Sequence, residues 1–207
     1  MSKRHTMKII ATADLHGSQF RLNILLKNIE KYSPDLVIIC GDITQFGPAE
    51  LAKGFLDQIP IETLAVTGNI DSKDVEKGID ESKATNIETK RVVKKGIPFV
   101  GLSGVEIEQI EFIDDKKLID EKTVLVSHVP PYGFQDRVFI GMHGGNRELR
   151  ELVDKYKPRL VLCGHIHEDP GFTKNKNTII VNCSMGKRGE GALIDIGKET
   201  SVKMLDE

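Results

Sequence analysis

The sequence predicts an α/β protein built as two packed β-sheets with helices on their outer faces. Three observations point there. In the first half of the chain, short apolar runs alternate with segments of helical periodicity, the pattern of parallel strands joined by crossover helices. In the second half, strand-like runs crowd together, with little room for helices between the last of them. No repeat, low-complexity tract or linker interrupts the 207 residues, so residues 1–207 are expected to form a single domain.

The elements follow in order. "MKIIATAD" reads as a buried strand, and residues 20–32 as a helix with Leu22, Leu25, Leu26 and Ile29 at helical spacing. "DLVIICGD" is a second strand, started after Pro34. Residues 48–59 read as a helix with Pro48 in its first turn and Leu51, Phe55 and Ile59 on one face. "IETLAVTGN" is a third strand, and a short helix is expected after Asp71. From about residue 85 the texture changes: "TKRVVKKGIPFVGLSGV" holds short β runs broken at Gly96-Ile97-Pro98, which reads as a hairpin. "KTVLVSHVPP" is another buried strand. Residues 147–157 form a helix with Leu149, Leu152, Val153 and Tyr156 on one face and Asn146 as its cap. "RLVLCGHIH", "NTIIVNCS" and "GALIDIG" complete a mixed or antiparallel sheet in the second half.

Composition excludes several classes. Twenty-nine basic against thirty-one acidic residues, a net charge of −2, leave no electrostatic footprint for nonspecific nucleic-acid binding. No apolar run is long enough to cross a membrane. The basic "MSKRHTMK" lacks the apolar core of a signal peptide, so a cytoplasmic location is expected, with Met7 an alternative to Met1 as the natural start. Cys40, Cys163 and Cys183 are odd in number and include no CxxC pair; they read as small buried hydrophobes rather than a disulfide framework or zinc knuckle.

Five apolar runs break off into the same kinds of residue: "ATADLHG", "CGDITQ", "TGNID", "SHVPP" and "CGHIH". Ligands of α/β sheets lie beyond the carboxyl ends of the strands, and these ends supply Asp14, His16, Asp42, Asn69, His128, His165 and His167. Four of the six histidines are among them. Imidazoles mixed with carboxylates and an amide oxygen suit a first-row divalent ion such as Mn, Fe, Co or Zn, and seven donors are too many for one tetrahedral ion. Each piece has an ordinary structural explanation: a helix cap at Asp14, a turn at Asp42, an Asx turn or cap at Asn69 and Asp71, a packed histidine at His128. Together those explanations need five independent coincidences.

D-x-H, G-D, G-N-x-D, a later H before prolines, and G-H-x-H, in this order from Asp14 to His167, resemble the calcineurin-like metallophosphoesterase superfamily. "SHVPPYGF" and "GHIHEDPG" are most similar to its small prokaryotic phosphodiesterases. The resemblance implies a four-layer αββα sandwich of two mixed β-sheets. It implies two divalent ions, manganese foremost, with iron, cobalt, nickel or zinc admissible. Asp14, His16, Asp42 and His167 would hold one, and Asp42, Asn69, His128 and His165 the other, with Asp42 bridging. The implied activity is hydrolysis of a small phosphodiester by metal-activated water. The competing reading is a catalytically weak scaffold or protein-interaction subunit of the same fold; retention of all four imidazole ligands favours the enzyme.

One position departs from the family. Many relatives carry a histidine after the G-N asparagine, thought to protonate the leaving oxygen; here that position is Ile70, which cannot transfer a proton. Asp71, deprived of that partner, is expected to cap the next helix or to support the site from outside. Asn69 and His128 also face the expected substrate position. His143, in "GMHGGNRE", is either a catalytic or substrate-binding histidine over the metals or an exposed loop residue on a glycine hinge. Arg147 is either a contact to the substrate phosphate or a solvated first-turn side chain.

Overall fold

The computed structural model describes residues 6–103, 106–187 and 189–206. Met1, and Gly104 and Val105 at the end of the hairpin stretch, lie outside them. In chain order the elements are β1 (Met7–Thr12), α1 (Gln19–Tyr32), β2 (Leu36–Cys40), α2 (Ala49–Leu56), β3 (Thr63–Val66), α3 (Lys73–Asp80), β4 (Thr85–Asn86), β5 (Arg91–Lys94), β6 (Ile97–Leu102), α4 (Ile107–Asp115), β7 (Val124–Ser127), α5 (Arg147–Tyr156), β8 (Leu160–Cys163), β9 (Gly171–Asn175), β10 (Thr178–Asn182), β11 (Gly189–Ile196) and β12 (Thr200–Asp206). One sheet has the order β12-β11-β1-β2-β3-β4, the other β5-β6-β7-β8-β10-β9. In the first sheet β1 to β4 run parallel and β11 and β12 pair antiparallel; in the second β6, β7, β8 and β10 run parallel and the edge strands β5 and β9 antiparallel, so both sheets are mixed.

The layering follows from the two-residue period of the strands. Ile9 and Ala11 of β1, Ile38 and Cys40 of β2, and Leu64 and Val66 of β3 face inward against Phe99, Val124, Val126, Leu160, Leu162 and Val181 of the second sheet. The intervening residues Ile10, Val37, Ile39 and Ala65 face outward onto Leu22, Leu25 and Ile29 of α1, Phe55 of α2 and Val75 of α3. On the far side, Val100, Leu125 and Val161 meet Ile110 and Ile113 of α4 and Leu149, Leu152 and Val153 of α5. Strands buried on both faces have no polar side to show, which is why they read as unbroken apolar runs. The result is helix, sheet, sheet, helix: an αββα sandwich.

Helix caps behave as the sequence dictates. Ser18 accepts from Arg21 N (3.4 Å) at the start of α1, and Asn146 accepts from Leu149 N (2.7 Å) at the start of α5. The expected hairpin is β5–β6, paired Arg91↔Val100 through Lys94↔Ile97. Among the described residues, no helix is long and apolar enough to cross a membrane. All three cysteines are buried and unpaired.

Two expectations are corrected, and one helix is added. The second half is not one sheet, because β11 returns to pair antiparallel with β1 (Ile9↔Ile194) and brings β12 with it. Ala192, Ile194 and Ile196 join the inter-sheet core while Leu193 packs beneath the outer helices, so β11 seals an edge that β1 would otherwise leave open. Helix α2 ends at Leu56 and buries Ala52, Phe55 and Leu56, leaving Leu51 turned outward. Helix α4 was not foreseen; it carries Ile110 and Ile113 inward in a short acidic segment. Phe99 is fully buried between the sheets, so Phe99→Ala should cost about 3–5 kcal/mol in urea unfolding.

Candidate metal centre

Five strands end at one place. The loop after β1 carries Asp14 and His16, and it runs beside the loop after β2 through Asp14 N to Gly41 O (3.1 Å), His16 N to Asp42 O (2.9 Å) and Gly17 N to Ile43 O (2.9 Å). In the second sheet Gly164 N donates to His128 O (2.9 Å), which sets the loop after β8 beside the end of β7. His165 N then reaches across to Asp14 Oδ2 (3.1 Å) and joins the two halves. Asp14, His16, Asp42 and His165 all adopt left-handed backbone, with φ of 64°, 50°, 50° and 67°. Such a conformation costs a non-glycine residue about 1–2 kcal/mol, and strain of this kind gathers at functional sites.

The side chains converge. Carboxylate and ring atoms of Asp14, His16 and His167 lie within 4.8 Å of one another, as do those of Asp14, Asp42 and His128. The Nε2 atoms of His16 and His167 are 3.2 Å apart, and His167 Nε2 stands 3.3 Å from Asp14 Oδ1. The rings of His128 and His165 meet edge to face at 5.0 Å. His128, fully buried, donates from Nδ1 to the Cys40 carbonyl (2.9 Å), because a carbonyl can only accept. In that tautomer Nε2 presents a lone pair to Asn69 Oδ1 at 2.8 Å and Asp42 Oδ2 at 3.4 Å. Asp14 Oδ1 and His16 Nδ1 are buried without any hydrogen-bond partner. Acceptors facing acceptors, with buried orphans among them, are what a cation resolves. The donor set fits divalent metal ions.

Electrostatics agree. Burial, only partly offset by Asp14, lowers His16 to about 4. Burial and the nearby His128 lower His165 to about 4 as well, so both rings are neutral near pH 7 and keep a lone pair. Burial pushes the Asp42 carboxyl up to about 6, against the pull of His128 and the Ile70 amide. Burial opposes ionisation of Asp14 too, but close His167, His128 and Ser184 hold it below the usual carboxylate range. The Asp14 carboxylate in turn raises His167 above the ordinary imidazole value.

All seven residues expected at the strand ends are brought together. Asp71 is not a helix cap: Ser72 holds that position, without a side-chain capping bond. Instead Asp71, half-buried, accepts from Ile43 N (3.0 Å), Thr44 N (2.8 Å), Thr44 Oγ1 (3.0 Å) and Gly68 N (3.0 Å), clipping the Asp42 loop to the Asn69 loop. Ile70 contributes its backbone, with N–H to Asp42 Oδ1 (3.1 Å). Among the described residues, His143 and Arg147 make no hydrogen bond, ion pair or ring contact with any of the seven. His143 bonds Asp136 and leans on Tyr132, and Arg147 stacks over the Tyr132 ring at 4.0 Å. Sequence reasoning missed Arg21, whose guanidinium donates to Asp14 O (2.6 Å) and Gly186 O (2.8 Å) and so holds two site loops together. No local motif announces it: its partners are backbone carbonyls, one of them 165 residues away.

The family model for calcineurin-like phosphoesterases matches residues 7–169. This chain is a calcineurin-like phosphoesterase. It is 34% identical over 199 residues to an uncharacterized protein of Methanocaldococcus jannaschii, covering 86% of this chain and 88% of that protein. It is 25% identical to a probable glycerophosphodiester phosphodiesterase of Arcobacter nitrofigilis, covering 94% and 77% of the two. Among solved structures, a dimetal phosphatase from Danio rerio superposes with a TM-score of 0.70 at 11% identity, over 97% of this chain and 96% of that one, a likeness of fold. The family membership makes it a hydrolase acting on phosphoesters.

Two outcomes test the geometry. A Cβ on Gly68 would lie 2.1 Å from Asp42 Oδ1 and 2.4 Å from Asp42 N, so the G-N glycine is a matter of space. Gly68→Ala should therefore weaken Mn²⁺ binding about 10–100-fold by calorimetry, although no ligand is removed. Acid should also weaken it. Protonated Asp42, with its carboxyl at about 6, and protonated His167, raised above 6.5, compete with the ion. Calorimetry at pH 5.5 against pH 7.5 should show lower affinity and more protons released per ion.

Proposed function

We propose that the chain is a binuclear metal-dependent phosphodiesterase. Asp14, His16, Asp42 and His167 would hold one divalent ion, and Asp42, Asn69, His128 and His165 the other, with Asp42 shared and manganese the foremost candidate. When bound, such ions supply a nucleophile at neutral pH from water and positive charge for the transferring phosphoryl group. The observation that carries this reading is the convergence of acceptors at one place, above all Asn69 Oδ1 and Asp42 Oδ2 on the buried His128 Nε2.

The chain's own residues do the positioning. The Cys40 carbonyl fixes the His128 ring and its tautomer. Asp71 keeps Asp42 and Asn69 in mutual register, and Arg21 holds the Asp14 loop against Gly186. His16 opens on a cleft of about 670 Å³ that Phe20, Arg21, Gln45 and Lys187 also line. That volume is within the ordinary range for a small-molecule site, about 300–1,000 Å³. Preference for diesters is supported by the Arcobacter nitrofigilis relative and by the wording of the site motifs.

The metal-loaded protein should show a higher kcat/KM on bis-p-nitrophenyl phosphate than on p-nitrophenyl phosphate, and the reverse order would sink the diester assignment. Anomalous scattering after Mn²⁺ saturation should find two ions. Asp42→Ala should remove both the ions and the activity. Two bound ions with no turnover of any ester would favour the scaffold reading.

A further inference from the structure

We propose that Asp136 and His143 form a proton-relay dyad beside the metal centre, in which buried Asp136 positions His143 to protonate the departing alkoxide. The inference rests on the phosphodiesterase reading and deepens it, because Ile70 leaves the leaving oxygen without a donor from its own loop.

Asp136 is fully buried. Its Oδ2 accepts from Gly133 N (2.9 Å) and Gly145 N (3.1 Å), and its Oδ1 from His143 Nδ1 (2.7 Å). A carboxylate oxygen cannot donate, so Nδ1 carries the hydrogen and Nε2 is left with no hydrogen-bond partner among the described residues. The His143 side chain is 34% exposed. A histidine that merely solvates a loop has no need of a buried carboxylate, whose desolvation is costly. An acid–base histidine does need one, because a third group must orient its ring.

The loop is rigid. Arg137 and His143 pair across a short hairpin closed by Gly144 N to Asp136 O (2.8 Å) and Val138 N to Met142 O (2.9 Å). A Cβ on Gly145 would meet Asp136 Oδ2, Pro130 O and Tyr132 Cα at 2.8 Å each, so this glycine serves close packing rather than a hinge. The hairpin is anchored on ligand-bearing segments at both ends. Asn146 N donates to Pro130 O (2.9 Å), two residues beyond His128. The buried Asn182 amide donates to Gln135 O (3.3 Å) and to Ile166 O (2.7 Å), between His165 and His167.

In the step itself, the water oxygen forms a new bond to phosphorus as the bond to the alkoxide oxygen breaks. The electron pair of the broken bond takes the proton from Nε2 of the doubly protonated ring. The proton lost by water passes to solvent, and His143 takes one back from solvent, so one water is consumed per ester. Asp136 remains an acceptor throughout.

The test uses the full chain loaded with Mn²⁺, with bis-p-nitrophenyl phosphate, whose phenolate departs unaided, and a nucleoside cyclic phosphate, whose ribose alkoxide needs a proton. His143→Ala should lower kcat on the cyclic phosphate about 10²–10⁴-fold more than on the nitrophenyl ester, with Mn²⁺ binding unchanged. Added imidazole should restore part of that loss. Asp136→Asn should act in the same selective direction on kcat rather than on KM. Equal losses on the two esters, no loss on either, or a wild type active only on the nitrophenyl ester would overturn the dyad. A wild type inert on both would overturn the phosphodiesterase reading, and the dyad with it.

Discussion

The hydrogen bond from His128 Nδ1 to the Cys40 carbonyl joins the two sheets at their shared end and decides the chemistry there. His128 follows β7 of one sheet, and Cys40 ends β2 of the other. Because the carbonyl can only accept, the bond assigns the ring hydrogen to Nδ1 and directs a lone pair inward from Nε2. Asn69 and Asp42 then approach that lone pair as further acceptors, and among the described residues Asp14 Oδ1 and His16 Nδ1 are buried without a hydrogen-bond partner. The polypeptide has assembled an unfavourable electrostatic arrangement and held it in place. The rest of the architecture serves to make that arrangement rigid.

Rigidity comes from groups that never touch the centre of the cluster. Asp71 gathers three backbone N–H groups and one hydroxyl from two loops, so the Asp42 and Asn69 turns move as one. Arg21 does the same for the Asp14 loop and Gly186. Left-handed backbone at four of the seven converging residues is tolerated because the loops pair along their length. The inter-sheet core beneath, with Cys40 and Cys183 among its fully buried members, gives the loops a floor that does not yield.

What the sequence made legible was local. The inner strands announced themselves as apolar runs because both of their faces are covered, and the candidate site residues because each sits within a few residues of a strand end. Caps at Asn146 and the β5–β6 hairpin were legible for the same reason. What failed depended on distant partners. Nothing near Gly189–Ile196 states that it will pair with β1, and β9 and β12 were missed because edge strands carry mixed polar faces. The choice between a cap and outside support at Asp71 stayed open because its partners include Ile43 and Thr44 on another loop, and Asp136 escaped notice because an acid in a polar loop looks ordinary until its burial is seen.

The placement of β1 between β2 and β11 has a consequence for how the molecule is made. During synthesis β1, β2 and β3 emerge first and can pair in order, but the other edge of β1 stays bare until Gly189–Ile196 leaves the ribosome. The ligand loop after β1 waits as well, since Ala13 O receives Met185 N only then. A strand whose neighbour lies so far downstream closes a long loop late, which slows folding and exposes an edge to other nascent chains. Within the site, the turn bearing Asp14 and His16 is therefore made before its partners and settles after them.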